Sequence, residues 1–202
     1  MGRRPLSPEA IEAHRARAVR AAEHLFAAYG YEGVTLRALA SALGRSHTAV
    51  YRYFDGKAEI FEAARIAAYD RFAEAQEQVL REIADPRARL GGLGGAYVYF
   101  AREEPDAYRL MFELKPPGEA SPEMRAAEQR AWLPLREAIG SAVEADLLRG
   151  DPELLAHLFW AALHGIVSLE LAGKLSFGLG LDDLEAPMKR LLFEGGHRLG
   201  EI

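Results

Sequence analysis

An all-α chain is the fold class that three observations predict. No segment alternates apolar and polar residues with the β-branched enrichment a strand needs. Apolar residues instead recur at three- and four-residue spacings in long blocks. Between the blocks fall Gly30 and Gly33, Asp55-Gly56, Asp85-Pro86, Pro105, Pro116-Pro117-Gly118, Gly150-Asp151-Pro152 and Gly178–Asp183. The spacing predicts helices over 8–29, 36–43, 47–53, 57–83, 86–103, 105–114, 121–148, 152–172 and 183–199. Two domains are expected, a three-helix head at 1–56 and a larger helical bundle at 57–202. The helix that starts at Lys57 is the mechanical link between them.

Residues 34–60 read as two short helices joined by a glycine turn, the layout of a helix–turn–helix DNA-binding head. Thr35 is an N-cap, and Leu36, Leu39, Ala40 and Leu43 give one apolar stripe. Gly44 supplies a left-handed position after the first helix. Ser46 is placed to cap the second, with Val50 and Phe54 on its inner side. His47, Thr48 and Tyr51 then point elsewhere. Arg45, Ser46, His47 and Thr48 form the entry and first turn of the recognition helix, the part that docking brings closest to base edges. Tyr51 and Tyr53 can hydrogen-bond phosphates. Lys57 is expected on a phosphate, assisted by the positive end of its helix. Arg3 and Arg4 can form an arm that reaches phosphate or the minor groove.

Charge is split along the chain. Residues 1–60 hold nine Lys/Arg against six Asp/Glu, net +3, and residues 61–202 hold sixteen against twenty-four, net −8, together the −5 of the whole. Phosphate neutralisation depends on the local patch, so a basic head on an acidic body fits DNA binding. There are no cysteines, which excludes disulfides, thiolate metal sites and cysteine nucleophiles. Met1–Arg20 lacks an apolar core of secretory length, so a cytoplasmic protein is expected.

Ala21-Ala22, Leu25-Phe26, Gly30-Tyr31, Thr35, Leu39-Ala40, Gly44, Ser46, Tyr51, Tyr53-Phe54, Lys57 and Ile60 resemble the N-terminal signature of the tetracycline-repressor (TetR) family. The resemblance implies a dimeric, all-helical, one-component transcription regulator, usually a repressor released by a small molecule. It places Arg37 where the family reaches the nucleic acid, and Thr35 at the same edge. The chain departs from the pattern at Arg45, where the family commonly has an aliphatic residue; the arginine adds a cation beside the reading helix.

A second stretch, Trp160-Ala-Ala-Leu-His164-Gly165 with Tyr99-Phe100-Ala101 and Pro105–Phe112 before it, is similar to the TetR-type C-terminal domain named for its Trp-His-Gly motif. Tyr97, Phe100, Tyr108, Met111 and Phe112 join Trp132, Phe159, Trp160 and His164 in a dense aromatic and soft set. Large apolar side chains with a few polar tips are what an effector pocket within a bundle needs. With no charged residue in the set, an apolar or aromatic small-molecule effector is expected.

Residues 154–172 approach membrane length, but His157, His164, Ser168 and Glu170 interrupt them and no cationic flank precedes them. A helix apolar all round is expected to be buried on two sides. Leu155, Leu158, Ala162, Ile166 and Leu169, with Leu184, Met188, Leu191, Leu192 and Leu199, can supply half of a two-fold four-helix dimer interface. One short reading helix contacts too few base pairs, so a homodimer on a palindromic operator follows.

Other chemistries find no foothold. Glu153, His157 and His164 share a helix face but lack a further placed ligand, so no metal is expected. Gly91-Gly92 and Gly94-Gly95 lack the Gly-Lys-Ser/Thr ending of a phosphate loop and are expected to soften a helix start or let another helix approach. No cofactor is expected. The alternative from another class is a helical small-molecule-binding carrier or enzyme whose N-terminal bundle is structural.

Overall fold

Capping residues followed by proline set where several helices begin. A computed structural model describes residues 7–44, 54–116, 118–175 and 178–198. Among the described residues the regular structure is helical throughout: α1 (Pro8–Gly33), α2 (Leu36–Ala42), α3 (Lys57–Glu82), α4 (Pro86–Glu103), α5 (Pro105–Phe112), α6 (Pro122–Glu144), α7 (Pro152–Leu171) and α8 (Leu181–Arg198). The expected helix over 47–53 lies outside the described residues. Asp85, Ser121 and Asp151 accept from the amides of Ala88, Met124 and Leu154 at 2.7, 3.0 and 2.8 Å. Each precedes a proline whose missing N–H would be an orphan in any case.

Helix ends follow left-handed residues. Helical geometry in α1 breaks at Gly30 (φ 69°, ψ 171°), so its regular part stops at Tyr29. Gly44 (φ 59°) ends α2, its amide donating to the Ser41 carbonyl at 2.9 Å. After α7, Gly173 (φ 64°) stands where Gly173 N and Lys174 N return to the carbonyls of Glu170 and Leu169 at 2.9 and 2.8 Å. This is the paired bonding of a Schellman stop. The same pattern closes α6, with Asp146 (φ 55°) in the left-handed place and Leu147 N on the Ala142 carbonyl at 2.9 Å. That stop shortens the helix expected to reach 148.

The chain divides into two units. The first comprises Met1–Arg71 and Asp106–Glu128, the second Phe72–Pro105 and Gln129–Ile202. Their boundaries therefore fall inside α3 and α6. In the first unit, Val19, Ala22 and Phe26 of α1 pack with Leu39 and Ala40 of α2, Phe61 and Ala64 of α3, and Leu110 of α5. Phe26 meets Phe61 edge-on at 4.9 Å, and Tyr31 meets Phe61 at 5.1 Å. In the second unit, Leu90 and Leu93 of α4 pack with Ala138, Ile139 and Ala142 of α6 and with Leu155 and Ala156 of α7.

Glycines in α4 serve different neighbours. A Cβ at Gly92 would lie 2.8 Å from Val79 Cγ1 and 2.9 Å from Ile83 Cδ1, so the end of α3 uses the missing side chain. A Cβ at Gly94 would lie 2.8 Å from Lys189 Cε, the flexible stem of an α8 lysine. At Gly91 and Gly95 nothing lies within 4 Å. The helix approach expected of this stretch is thus made through Gly92 and Gly94.

An ordering of stabilities follows. Gly91→Ala gains helix propensity with no collision and should stabilise by up to ~1 kcal/mol. Gly94→Ala should be near neutral, because a lysine tip can move. Gly92→Ala pushes on a β-branched side chain with little freedom and should cost ~1–3 kcal/mol. Urea unfolding of the three variants checks the order, and a Gly92→Ala protein as stable as wild type would refute the packing. On the second unit's surface, Arg130 grips Glu77 through two bonds of 2.7 and 2.8 Å. Those bonds hold the Glu77 carboxyl below its usual range against a desolvation that raises it, with the Arg130 and Arg81 charges also lowering it. A depressed carboxylate contributes stability that is present above its unfolded pKa of ~4.3 and lost as pH falls through the folded value. Arg130→Gln should therefore raise the Glu77 titration midpoint in a carboxyl NMR titration; an unchanged midpoint would dismiss the pairing.

Candidate nucleic-acid interface and aromatic cluster

Within the head, the described residues place α2 as expected. The Thr35 hydroxyl accepts from the Ala38 amide at 3.1 Å as the N-cap of α2, which leaves its O–H to donate outward. Arg37 is exposed on the outer side of α2, while Leu39 and Ala40 are buried beneath it. Arg45, Ser46, His47, Thr48, Tyr51 and Tyr53 lie outside the described residues, as do Arg3 and Arg4.

Lys57, expected on a phosphate, also has partners within the head. Its ammonium donates to the Tyr31 carbonyl at 2.9 Å and stands 4.1 Å from the Tyr31 ring centroid. It fastens the end of α1 to the start of α3. Two further ties join the same helices. Arg15 pairs with Glu59 at 3.1 Å and covers the Phe54 ring at 4.4 Å. Glu23, only 6% exposed, accepts two bonds from Arg71 at 3.0 and 2.9 Å.

Helix α5 is bound into this unit at three points. Asp106 in its first turn pairs with His24 of α1 at 2.8 Å. Leu110 enters the core shared by α1, α2 and α3. The carbonyl of Met111 accepts from Arg65 at 3.5 Å and from the Tyr69 hydroxyl at 3.3 Å. Burial raises the Tyr69 phenol above its ordinary pKa, opposed by the Arg65 charge. Of the expected effector residues, Tyr108, Met111 and Phe112 belong to this unit, with the Phe112 ring 4.9 Å from Tyr108 and 6.0 Å from Tyr69.

The second unit holds the rest of that set. Tyr97 and His164 share a hydrogen bond of 2.8 Å at Nδ1, and Ser168 meets the other ring nitrogen at 3.3 Å. Trp160 lies 5.6 Å from the His164 ring and 6.1 Å from Trp132. Phe72, absent from the expected set, packs edge-on to Tyr97 and Phe100 at 5.5 and 5.3 Å. Phe159 turns instead to Phe193, 5.7 Å away. His157 binds the Glu153 carbonyl at 2.8 Å, and no group of metal-ligating side chains occurs among the described residues.

The apolar helix α7 has two faces. Leu155, Ala156, Leu163 and Val167 are buried in its own unit. Leu158 and Leu169 are 40% and 45% exposed, with Leu154 and Ala161 exposed on the same side. Ala162 and Ile166 of α7 and Leu184, Met188 and Leu192 of α8 are half-buried, Leu191 is 70% exposed, and Leu199 lies outside the described residues. α7 has the length and hydropathy of a membrane span, and only 17% of that window is buried.

Sequence reasoning overlooked Arg65, Glu23 and Arg71. A signal was present for the first: Phe61, Arg65, Tyr69 and Phe72 share one face of α3, so a cation interrupts an aromatic stripe.

Residues 18–64 match the bacterial regulatory proteins of the tetR family, and residues 90–193, half of the chain, match the Tetracyclin repressor-like C-terminal domain. An uncharacterised HTH-type transcriptional regulator of Mycobacterium tuberculosis, Rv0681, is 32% identical over 148 residues, 71% of this chain and 64% of that protein. The HTH-type transcriptional activator FasR of Mycolicibacterium smegmatis is 29% identical over 151 residues, 75% of this chain and 66% of its own length. The chain thus spans just under two-thirds of both relatives. PfmR, a TetR family transcriptional regulator from Thermus thermophilus, shares the fold at a TM-score of 0.70 and 24% identity, covering 88% of this chain and 97% of that one. Head, aromatic body and matches agree: the chain belongs to the tetracycline-repressor family of helix–turn–helix transcriptional regulators.

Proposed function

We propose that the protein is a homodimeric one-component repressor in the cytoplasm, bound to a palindromic operator and released by a small-molecule effector. Residues 1–56 act as the DNA-binding domain and 57–202 as the effector-binding and dimerisation domain. The observation that carries this is the capped, glycine-stopped α2 with Arg37 on its open side, immediately before the segment expected to read bases. Arg37 and Arg45 through Thr48 approach the DNA, with Tyr51 and Tyr53 on phosphates. Lys57 supports them by holding α1 against α3. Two such heads would lie about 34–36 Å apart, in successive major grooves.

Dimerisation is supported by α7. Its outer face, with Leu154, Leu158 and Leu169 flanking Ala161 and Gly165, leaves apolar area in water that a second copy would remove. A Cβ at Gly165 would meet nothing within 4 Å, which leaves room for a close helix crossing. The aromatic set around Tyr97, Trp160 and His164 offers the surface for an apolar or aromatic effector. To release the operator, the effector must bind the non-binding conformation better than the binding one. An activator is the second reading, favoured by the relative named as one.

Arg37→Ala should weaken operator binding about tenfold or more if it reads a base, and should lower the salt slope by about one if it meets a phosphate. A gel-shift titration at several salt concentrations separates the two, and an unchanged affinity and slope removes Arg37 from the interface. Leu158→Glu should give a folded monomer by sedimentation with operator affinity reduced ~100-fold, because the linked second half-site is lost. A Leu158→Glu protein that remains dimeric contradicts the α7 interface. Reporter expression with and without the protein distinguishes repression from activation.

A further inference from the structure

We propose that Arg65 is the receptor for the carboxylate of a small apolar acid, and that Glu128 is the counter-ion this acid displaces. The inference rests on the reading that a small-molecule effector releases the operator; it names the ligand's chemical class and seats it beside Tyr108, Met111 and Phe112 of the expected set, not at Tyr97, Trp160 and His164.

Arg65 is 7% exposed, in a stripe of α3 otherwise occupied by Phe61, Tyr69 and Phe72. Its charge is poorly compensated. The Glu128 carboxylate stands 3.4 Å from one terminal nitrogen, and the Met111 carbonyl 3.5 Å from the same nitrogen. Nε is buried with no hydrogen-bond partner, the one such side-chain atom among the described residues. A buried donor on a charged group is costly to leave unmade, and a native protein leaves few of them. A guanidinium fork matches a planar carboxylate through two parallel bonds, and the fork that includes the unpartnered Nε also uses the terminal nitrogen that Glu128 now holds, so the acid takes both once Glu128 gives way.

The surroundings favour an acid with an apolar body. The Tyr69 ring lies 5.9 Å from the Arg65 guanidinium carbon, Phe112 stands edge-on beyond it at 6.0 Å, and Tyr108 follows at 4.9 Å. Glu128 is partly exposed, so its carboxylate can be rehydrated when displaced, at modest cost. The consequence reaches the head through one unit. Arg65 also holds the last turn of α5, whose Leu110 sits in the head core. A ligand that draws the guanidinium toward itself competes with that hold.

The test is calorimetric titration of the full-length protein with straight-chain carboxylates from acetate to decanoate and with phenylacetate. 1-Octanol serves as the uncharged control and inorganic phosphate as the non-planar anion. The expected result is saturable binding of an apolar carboxylate about tenfold or more tighter than octanol or phosphate. Glu128→Gln should tighten it several-fold by removing the competitor. Arg65→Lys should weaken it about tenfold, with circular dichroism confirming the fold. If Arg65→Lys fails to fold, the Glu128→Gln comparison decides. Absence of carboxylate binding at millimolar concentration, equal binding of octanol and octanoate, or weaker binding by Glu128→Gln overturns the proposal. Operator release is scored separately. Carboxylate binding without release supports the site and removes the effector reading; release by neutral compounds alone does the reverse.

Discussion

The fastening of α1 to α3 is the constraint on which the rest of the head depends. Three polar ties cross that junction, at Lys57–Tyr31, Arg15–Glu59 and Glu23–Arg71, around the Phe26–Phe61 contact. The Glu23 carboxylate is nearly out of water, and burying a charge is favourable only when its partner geometry is good. Arg71 meets that need with two short bonds, and Arg20 adds a longer one at 3.5 Å. Removing Arg71 would leave the buried Glu23 charge uncompensated, so the pair holds α1 and α3 in one arrangement. For a reading helix that arrangement is what matters, because base contacts tolerate little misplacement.

Helix α7 expresses the opposite economy. Its sequence is apolar on every side, yet a single copy of the chain buries only one side of it. Two solvents can accept the other face, a lipid bilayer or a second protein surface. Membership of a family of DNA-binding regulators favours the protein surface, and it also removes the carrier-or-enzyme alternative. The small residues Ala161 and Gly165 between flanking leucines are suited to a helix crossing.

Features governed by local chemistry were legible in the sequence. Thr35 as a cap, Gly44 as a left-handed stop, and Asp85-Pro86 and Asp151-Pro152 as starts each depend on a few neighbouring residues. The all-α class followed from periodicity for the same reason. The stop after α6 was not legible, because a left-handed aspartate at position 146 replaces the glycine that usually signals one. Nor were the partners that Lys57 and Arg65 find within the chain. Lys57 has the position of a phosphate ligand, and Tyr31, distant in sequence, adds an acceptor within the chain. Arg65 acquires its significance from Met111 and Glu128, which only the fold brings near. The aromatic residues form one group by composition, and their distribution over two units of the chain is visible only in the fold.

The most direct test is a protection footprint of the full-length protein on genomic fragments, taken at low and at moderate salt. The account predicts discrete protected sites with two-fold symmetry, in two major-groove segments about one helical turn apart, that fade steeply as salt rises. Protection that is uniform along the DNA, or confined to one unrepeated segment, would contradict it.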